Sequence, residues 1–171
     1  MSIHSESWPH CTLPLPAESI DFVDARITAW ITSELVPCDG FLAVDRPLSG
    51  ELPAPIRRWY IRMRGESKSF ITIWLTLNQR TLSFESYMLP APEENHAEFF
   101  EYLLARNSDI CGAAFAVGAE SAIYLVGSIP LQTVWSHYLH PELDRIIGSI
   151  WTYTEQSFTA ALHIGWRSRF I

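Results

Sequence analysis

Residues 90–107, 122–130 and 140–165 read PAPEENHAEFFEYLLARN, AIYLVGSIP and HPELDRIIGSIWTYTEQSFTAALHIG. The first and third stretches repeat apolar residues at helical spacing, and the second is a short apolar run bounded by turn residues. This order of helix, strands and long helix favours a small α+β protein. The stretches contain no nucleophile motif, metal cluster or phosphate loop. They therefore predict a binding module rather than an enzyme.

Three strands before these elements form a predicted meander. Residues 58–64, 70–77 and 81–88 each place apolar side chains at every second position, which is the period of a β-strand. Turn residues separate the three runs, as is typical of antiparallel hairpins. Residues 41–44 are a candidate for a short additional strand.

The remaining elements complete the predicted order. Helix 1 is predicted over residues 18–35, where apolar residues recur on one face. Two further strands are predicted over residues 113–117 and 122–128, and helix 3 is predicted to open at Pro141 and stop near Gly165. The order is α-βββ-α-ββ-α, an α+β fold with an antiparallel sheet and helices on one face.

Helix 2 has recognisable residues at both predicted ends. Pro92 fits the first turn, where its missing N–H group costs nothing, and Glu93 and Glu94 suit the positive end of the helix. Asn107 or Gly112 marks the end of the helix; Arg106 lies near its negative end, and Asn107 tolerates a left-handed exit. The alternative interpretation of these polar residues is contact with a ligand or partner.

The length and composition predict one domain with a substantial core. The chain has 171 residues, of which 48% are hydrophobic and 13% aromatic, so it can bury a core without disulfides or metals. We divide it into an irregular, Pro-rich N-terminal arm over residues 1–17 and a single α+β domain over residues 18–171.

Charge and cysteine content limit the classes of partner and compartment. The formal net charge is −7, which argues against nucleic acid because phosphate binding needs a basic face. Three widely spaced cysteines without a C-x-x-C pair are not a disulfide framework. Neither a secretory leader nor an apolar run of the ~20 residues that span a membrane is present. We expect a cytoplasmic protein that binds no nucleic acid, membrane or cofactor.

Four segments match one bacterial family in their order and spacing. They are WLTLNQRTLSFES (74–86), PEENHAEFFEYLLARN (92–107), YLVGSIPL (124–131) and ELDRIIGSI (142–150). The region from about Arg58 to Ile164 thereby resembles the YbjN-domain family in its actinobacterial form. The segment before Arg58 departs from that form, with a Pro-rich arm and a longer connection.

The resemblance implies the fold of the type III secretion chaperones, whose element order equals the one predicted from periodicity. Chaperones of that fold act as homodimers and bind extended polypeptide. Members of the family are labelled as sensory-transduction regulators or chaperone-like proteins, and the family has no catalytic residues to carry over. It therefore implies a non-enzymatic module, chaperone-like or a regulatory adaptor, that forms a homodimer and binds a protein or peptide client.

The outward face of the predicted meander is the candidate partner-binding surface. It combines arginine and aromatic side chains, which are enriched where proteins bind partners. Its members are Tyr60, Arg62, Arg64, Trp74, Glu85 and Tyr87. With Arg57 and Arg58, the arginines form one basic cluster that could meet an acidic peptide. The alternative is a solvated face on which these residues pair across strands.

Residues 137–144 (HYLHPELD) place two histidines and two acids within eight residues. Their spacing is not that of a standard zinc site. Glu142 and Asp144 are better explained as acidic residues at the positive end of helix 3. We therefore predict no metal site in this segment.

Two other functions stay open at the level of sequence. A sensor would hold a small ligand in a groove between helix and sheet, with Trp74, Tyr87 or Tyr124 as walls. An enzyme is the third alternative, for which no acid–base pair or metal set can be named. For a dimer, we expect contacts through apolar residues of helix 3 or through the exposed sheet.

Overall fold

The computed structural model describes residues 17–48, 50–131 and 139–170. Its α-helices are α1 (Ala17–Trp30), α2 (His96–Asn107) and α3 (Leu139–Gly165). Its strands are β1 (Phe41–Asp45), β2 (Arg57–Arg64), β3 (Phe70–Leu77), β4 (Thr81–Leu89), β5 (Ala114–Val117) and β6 (Ile123–Pro130). A π-helical turn, Ile31–Leu35, extends α1. Residues 1–16 of the predicted arm lie outside the described residues.

The six strands form one open antiparallel sheet in the order β1-β2-β3-β4-β6-β5. The α+β class and the antiparallel sheet predicted from the sequence are confirmed. The candidate strand at residues 41–44 is a full member of the sheet, paired with β2, so the meander has four strands instead of three. This strand was uncertain from the sequence because five residues are too few to establish a period.

One face of the sheet is buried and the other is open. In β3 the side chains of Ile71, Ile73, Leu75 and Leu77 are all 0% exposed. Alternate residues of a strand point to opposite faces, and the residues between them are half-buried or exposed. The buried side chains share a single core with apolar residues of the helices, so the helices lie on one face, as predicted.

Helix α3 holds the covered side of the protein together. Its buried residues, among them Leu143, Ile146 and Ile150, belong to the common core. Its Glu155 carboxylate also accepts hydrogen bonds from the backbone N–H groups of Glu66 and Ser67 in the β2–β3 turn, at 3.0 and 2.6 Å. Helix α3 therefore contacts the sheet, the β2–β3 turn and the neighbouring helices, and it links these elements on the covered side of the sheet.

Glu93 and Glu94 precede α2, and they form hydrogen bonds to the end of α3 instead of beginning α2. The N–H groups of Glu93 and Glu94 donate to the carbonyl oxygen of Gly165 over 3.0 and 3.1 Å. The Glu94 carboxylate accepts a hydrogen bond from the Ser168 N–H group, which lowers the pKa of Glu94. The prediction that Pro92 starts the helix is wrong, because these long-range bonds outweigh a local preference.

The left-handed residue at α2 lies before the helix and not at its exit. Asn95, directly before the helix, adopts a left-handed backbone with φ of 51°, whereas Asn107 has no positive φ. Asn107 Nδ2 donates to the Phe115 carbonyl oxygen at 3.2 Å, and Asn107 Oδ1 accepts from the Phe115 N–H group at 2.6 Å. Asn107 therefore occupies backbone polar groups of the edge strand β5, and the left-handed exit predicted for it is wrong.

Candidate partner-binding surface

The uncovered side of the sheet carries the predicted surface residues. We call it the open face and define it by the outward side chains of β2, β3, β4 and β6. Strand register places Tyr60 opposite Trp74, and Trp74 opposite Glu85. These three residues therefore form one row across the middle of the open face, on three consecutive strands.

Trp74 is the centre of this row. Its ring packs edge-to-face against Tyr60, with 5.8 Å between ring centroids, which is a favourable aromatic geometry. The Arg58 guanidinium carbon lies 5.8 Å from the Trp74 ring centroid, and Arg58 Nε donates to Thr76 Oγ1 at 2.9 Å. Trp74 is still 40% exposed, so these contacts orient its ring and leave much of it accessible.

A second aromatic pair lies beside the row. The rings of Tyr87 and Tyr124 pack edge-to-face with 5.6 Å between centroids. The ammonium nitrogen of Lys68, the chain's single lysine, lies 4.9 Å from the Tyr87 ring centroid and donates to the Tyr87 carbonyl oxygen. Burial lowers the pKa of Lys68 to about 8 and, together with nearby Tyr124, raises the pKa of Tyr87.

The arginines predicted as one cluster are divided between the two sides of the sheet. Arg62 lies on the open face, 3.8 Å from the Asp45 carboxylate. Arg64 ends β2 opposite Phe70, an aromatic residue that is 61% exposed. Arg57 instead forms an ion pair with Asp21 of α1 at 2.8 Å. The cluster of the open face therefore excludes Arg57.

A shallow depression of about 400 Å³ lies beside Trp74. Its lining includes Arg58, Trp74, Thr76, Ser83, Glu85 and Ser128. One wall is aromatic, and the rest offers an arginine, a carboxylate and hydroxyl groups. This combination can hold an apolar side chain beside a hydrogen-bonded backbone.

The structure brings all six predicted surface residues onto the open face. These residues are Tyr60, Arg62, Arg64, Trp74, Glu85 and Tyr87. Lys68 and Tyr124 join them and were missed, because a turn has no periodicity that would assign Lys68 to a face. That these residues bind a partner stays a prediction.

The predicted groove between helix and sheet does not have the expected walls. Trp74, Tyr87 and Tyr124 lie on the open face, away from the helices. Period-two alternation defines two faces but does not say which one the helices cover. The assignment of these three side chains to a helix–sheet groove is therefore wrong.

The acidic residues at the start of α3 have local partners. Arg145 donates to both Glu142 oxygens, and this bond lowers the pKa of Glu142. Asp144 accepts a hydrogen bond from Trp30 Nε1 at 2.8 Å, a contact that helix-end chemistry did not predict. His137 lies outside the described residues. Within the described ranges, no three His, Cys, Asp or Glu side chains meet as metal ligands.

Comparison with known proteins gives relatives whose roles are unknown. No protein-family model matches the chain. An uncharacterised protein of Mycobacterium tuberculosis and one of Mycobacterium bovis are each 30% identical over 108 residues, covering 63% of this chain and 57% of the relative. An uncharacterised protein of Mycobacterium leprae is 26% identical over 117 residues, covering 68% and 61%. The match therefore spans less than two thirds of each relative.

Hydropathy adds one observation about the helices. Within the ranges that the structure describes, none of them combines the length and the apolar character that crossing a membrane requires. The longest, α3, carries its apolar residues as a stripe that packs into the protein core.

Proposed function

We propose that this chain is a non-enzymatic protein-binding module, chaperone-like or a regulatory adaptor, that acts in the cytoplasm as a homodimer. We also infer a relationship to the YbjN-domain family, which the order of elements supports apart from the additional strand β1. The observation that carries the proposal is the row of Tyr60, Trp74 and Glu85 across an uncovered sheet face.

Burial in the core does not account for the aromatic character of this face. Trp74, Tyr87 and Phe70 are 40%, 42% and 61% exposed, although aromatic side chains are strongly stabilised by burial. Tryptophan, tyrosine and arginine are the residue types that most often dominate the free energy of binding between proteins. A partner that covers the open face would bury these side chains.

Charge defines the client that fits this surface. Arg58, Arg62, Arg64 and Lys68 lie on or beside the open face, against the carboxylates of Glu85 and Asp45. The surface is therefore locally positive on a chain with a net charge of −7. An extended segment that alternates apolar and acidic side chains would complement it.

The two edges of the sheet differ in their capacity for dimerisation. At the edge strand β5, the Asn107 side chain forms hydrogen bonds with backbone groups. Strand β1 forms the opposite edge of the sheet. Most of the apolar stripe of α3 packs into the protein's own core, which favours the sheet over α3 as the dimer surface. We place the dimer contact at β1, and a monomeric mass in sedimentation velocity would overturn it.

Affinity capture from a lysate of the source organism tests the binding role. The wild-type chain is compared with the double variant Trp74→Ala/Arg62→Glu, which removes the central ring and reverses one charge on the open face. We expect one discrete polypeptide with the wild type and at least a tenfold loss with the variant, roughly the effect of removing one hot-spot residue.

The matched control is Leu104→Ala/Arg80→Glu. It removes an exposed apolar side chain and reverses one charge, as the test variant does, but Leu104 lies on α2, away from the open face. The control should capture the polypeptide as well as the wild type does. Equal capture by all three proteins would contradict the proposal.

A further inference from the structure

We propose that a groove between α1 and α3, on the side of the sheet opposite the open face, binds a small organic cation with an apolar body. We call it the α1–α3 groove. Its volume is about 370 Å³, at the lower end of the range that small-molecule sites occupy. The residues that matter are Trp30, Met63, Asp144, Gly148 and Trp151, all of which line it.

Two indole rings are fixed beside the groove through their polar atoms. Trp30 Nε1 donates to Asp144 Oδ1 at 2.8 Å, and Trp151 Nε1 donates to the Arg64 carbonyl oxygen at 2.8 Å. The N–H group of each ring is therefore satisfied within the protein. Trp30 itself is 1% exposed, so the apolar surface open to a ligand is that of the partly buried Trp151 ring, held in place before anything binds.

The Asp144 carboxylate supplies the charge of this groove. Among the described residues its hydrogen-bond partner is the neutral indole of Trp30, whereas Glu142 one half-turn away has Arg145 as an ion-pair partner. Arg64 contributes backbone here, because strand alternation directs its side chain to the open face. Asp144 is exposed beside the apolar groove, and a carboxylate there without a cationic partner can form a charge-assisted hydrogen bond to a ligand that brings the positive charge.

Gly148 keeps the groove open. A Cβ atom placed on this residue would meet none of the described atoms within 4 Å, so a larger side chain would fit sterically. Glycine destabilises the interior of a helix relative to alanine, and Gly148 has no positive φ that would require it. A glycine here therefore leaves space above the Met63 floor, between Asp144 and Trp151, for a bound molecule.

The ligand class follows from these contacts. An ammonium group would lie at the Asp144 carboxylate, and a ring or short chain would lie against Trp151 and Met63. A neutral molecule of the same shape loses the charged hydrogen bond, and an anion meets the carboxylate directly. The groove should therefore rank phenethylammonium above 2-phenylethanol, and both above 3-phenylpropionate.

Nuclear magnetic resonance of the indole N–H groups tests this ranking directly. The resonances of Trp30 and Trp151 report on the two sides of the groove, and the three probes share one phenyl body but differ in charge. We expect phenethylammonium at millimolar concentration to shift both resonances, with smaller shifts from 2-phenylethanol and none from 3-phenylpropionate. Absence of shifts from phenethylammonium would overturn the site.

Three variants separate charge from space. Asp144→Asn keeps an oxygen for the Trp30 N–H group and removes the charge, and should weaken phenethylammonium binding about tenfold. Gly148→Leu should fill the groove and abolish binding, whereas Gly148→Ala, its matched control, should retain binding. Unchanged affinity in Asp144→Asn, or equal shifts from all three probes, would overturn the assignment of a cation. Unchanged affinity in Gly148→Leu would overturn the assignment of the groove.

Discussion

The two faces of strand β3 differ sharply in burial. Leu75 is 0% exposed and lies in the core that the sheet shares with the helices, while its neighbour Trp74 is 40% exposed. Both are large and apolar in body, and both lie in the same ladder between β2 and β4. Burial in the core therefore explains Leu75, whereas Trp74 is held by contacts with Tyr60 and Arg58 on the open face.

This contrast teaches how to separate residues of the fold from residues of the surface. On the covered face of β3, every second side chain belongs to one core, and its identity follows from packing. On the open face, rings and cations contact one another without being buried, as Tyr60, Trp74 and Arg58 do. Substitutions on the two faces should therefore have different kinds of effect.

The largest expected effect is on stability and falls on the covered face. Leu75→Ala should lower the free energy of unfolding by about 3 kcal/mol, because it removes buried methyl groups and leaves a cavity. Trp74→Ala, one position earlier, should lower the free energy of unfolding by about 1 kcal/mol, since it removes the edge-to-face contact of a partly exposed ring. Urea denaturation followed by circular dichroism measures both. Equal losses would abolish the distinction between the faces.

The next effect concerns the edge of the same sheet. Asn107→Ala should cost about 1–2 kcal/mol, because two hydrogen bonds to the Phe115 backbone are lost. It should also promote self-association, since an uncovered strand edge can pair with another chain. Sedimentation velocity should show a mass above that of the wild type that grows with concentration. Ser108→Ala, whose hydroxyl bonds the Ala105 carbonyl, is the control and should behave as wild type.

The smallest effect is a pH dependence that originates beside the open face. Burial lowers the pKa of Lys68 from its ordinary value of 10.5 to about 8, so between these values the unfolded chain binds more protons than the folded chain. Stability should therefore rise with pH from about 8 to 10, and Lys68 should cause no pH dependence well below 8, where it is protonated in both states. The Lys68→Met variant should lack this rise in urea midpoints. A rise that persists in the variant would assign it to another group.

The local spacing of apolar residues was sufficient to predict most elements of the covered side of the sheet. The period-two spacing of Ile71, Ile73, Leu75 and Leu77 predicts β3 with the bounds that the structure gives, because burial on one face imposes that spacing. The helical spacing of Leu143, Ile146 and Ile150 likewise predicts α3. The same alternation predicts which side chains share the open face, although not that Lys68 joins them.

Contacts between segments far apart in the chain could not be predicted from the sequence. Glu93 and Glu94 have the composition of a helix start, yet they bond to Gly165, more than seventy positions later. The hydrogen bond from Trp30 to Asp144 joins residues 114 positions apart, so the α1–α3 groove has no signature in either segment alone. Such pairings depend on how elements pack, which local propensity does not determine.

The position of α3 in the chain has a consequence for biosynthesis. Helix α3 covers the apolar face of the sheet, but it follows every strand in the order of synthesis. At translation rates of roughly 5–20 residues per second, the nearly ninety residues between the end of β3 and the end of α3 take about 4–18 s to make. During that interval Leu75 and its neighbours lack the cover that α3 contributes to the core. Until α3 leaves the ribosome, we expect this part of the nascent sheet to depend on transient contacts or on chaperones of the cell.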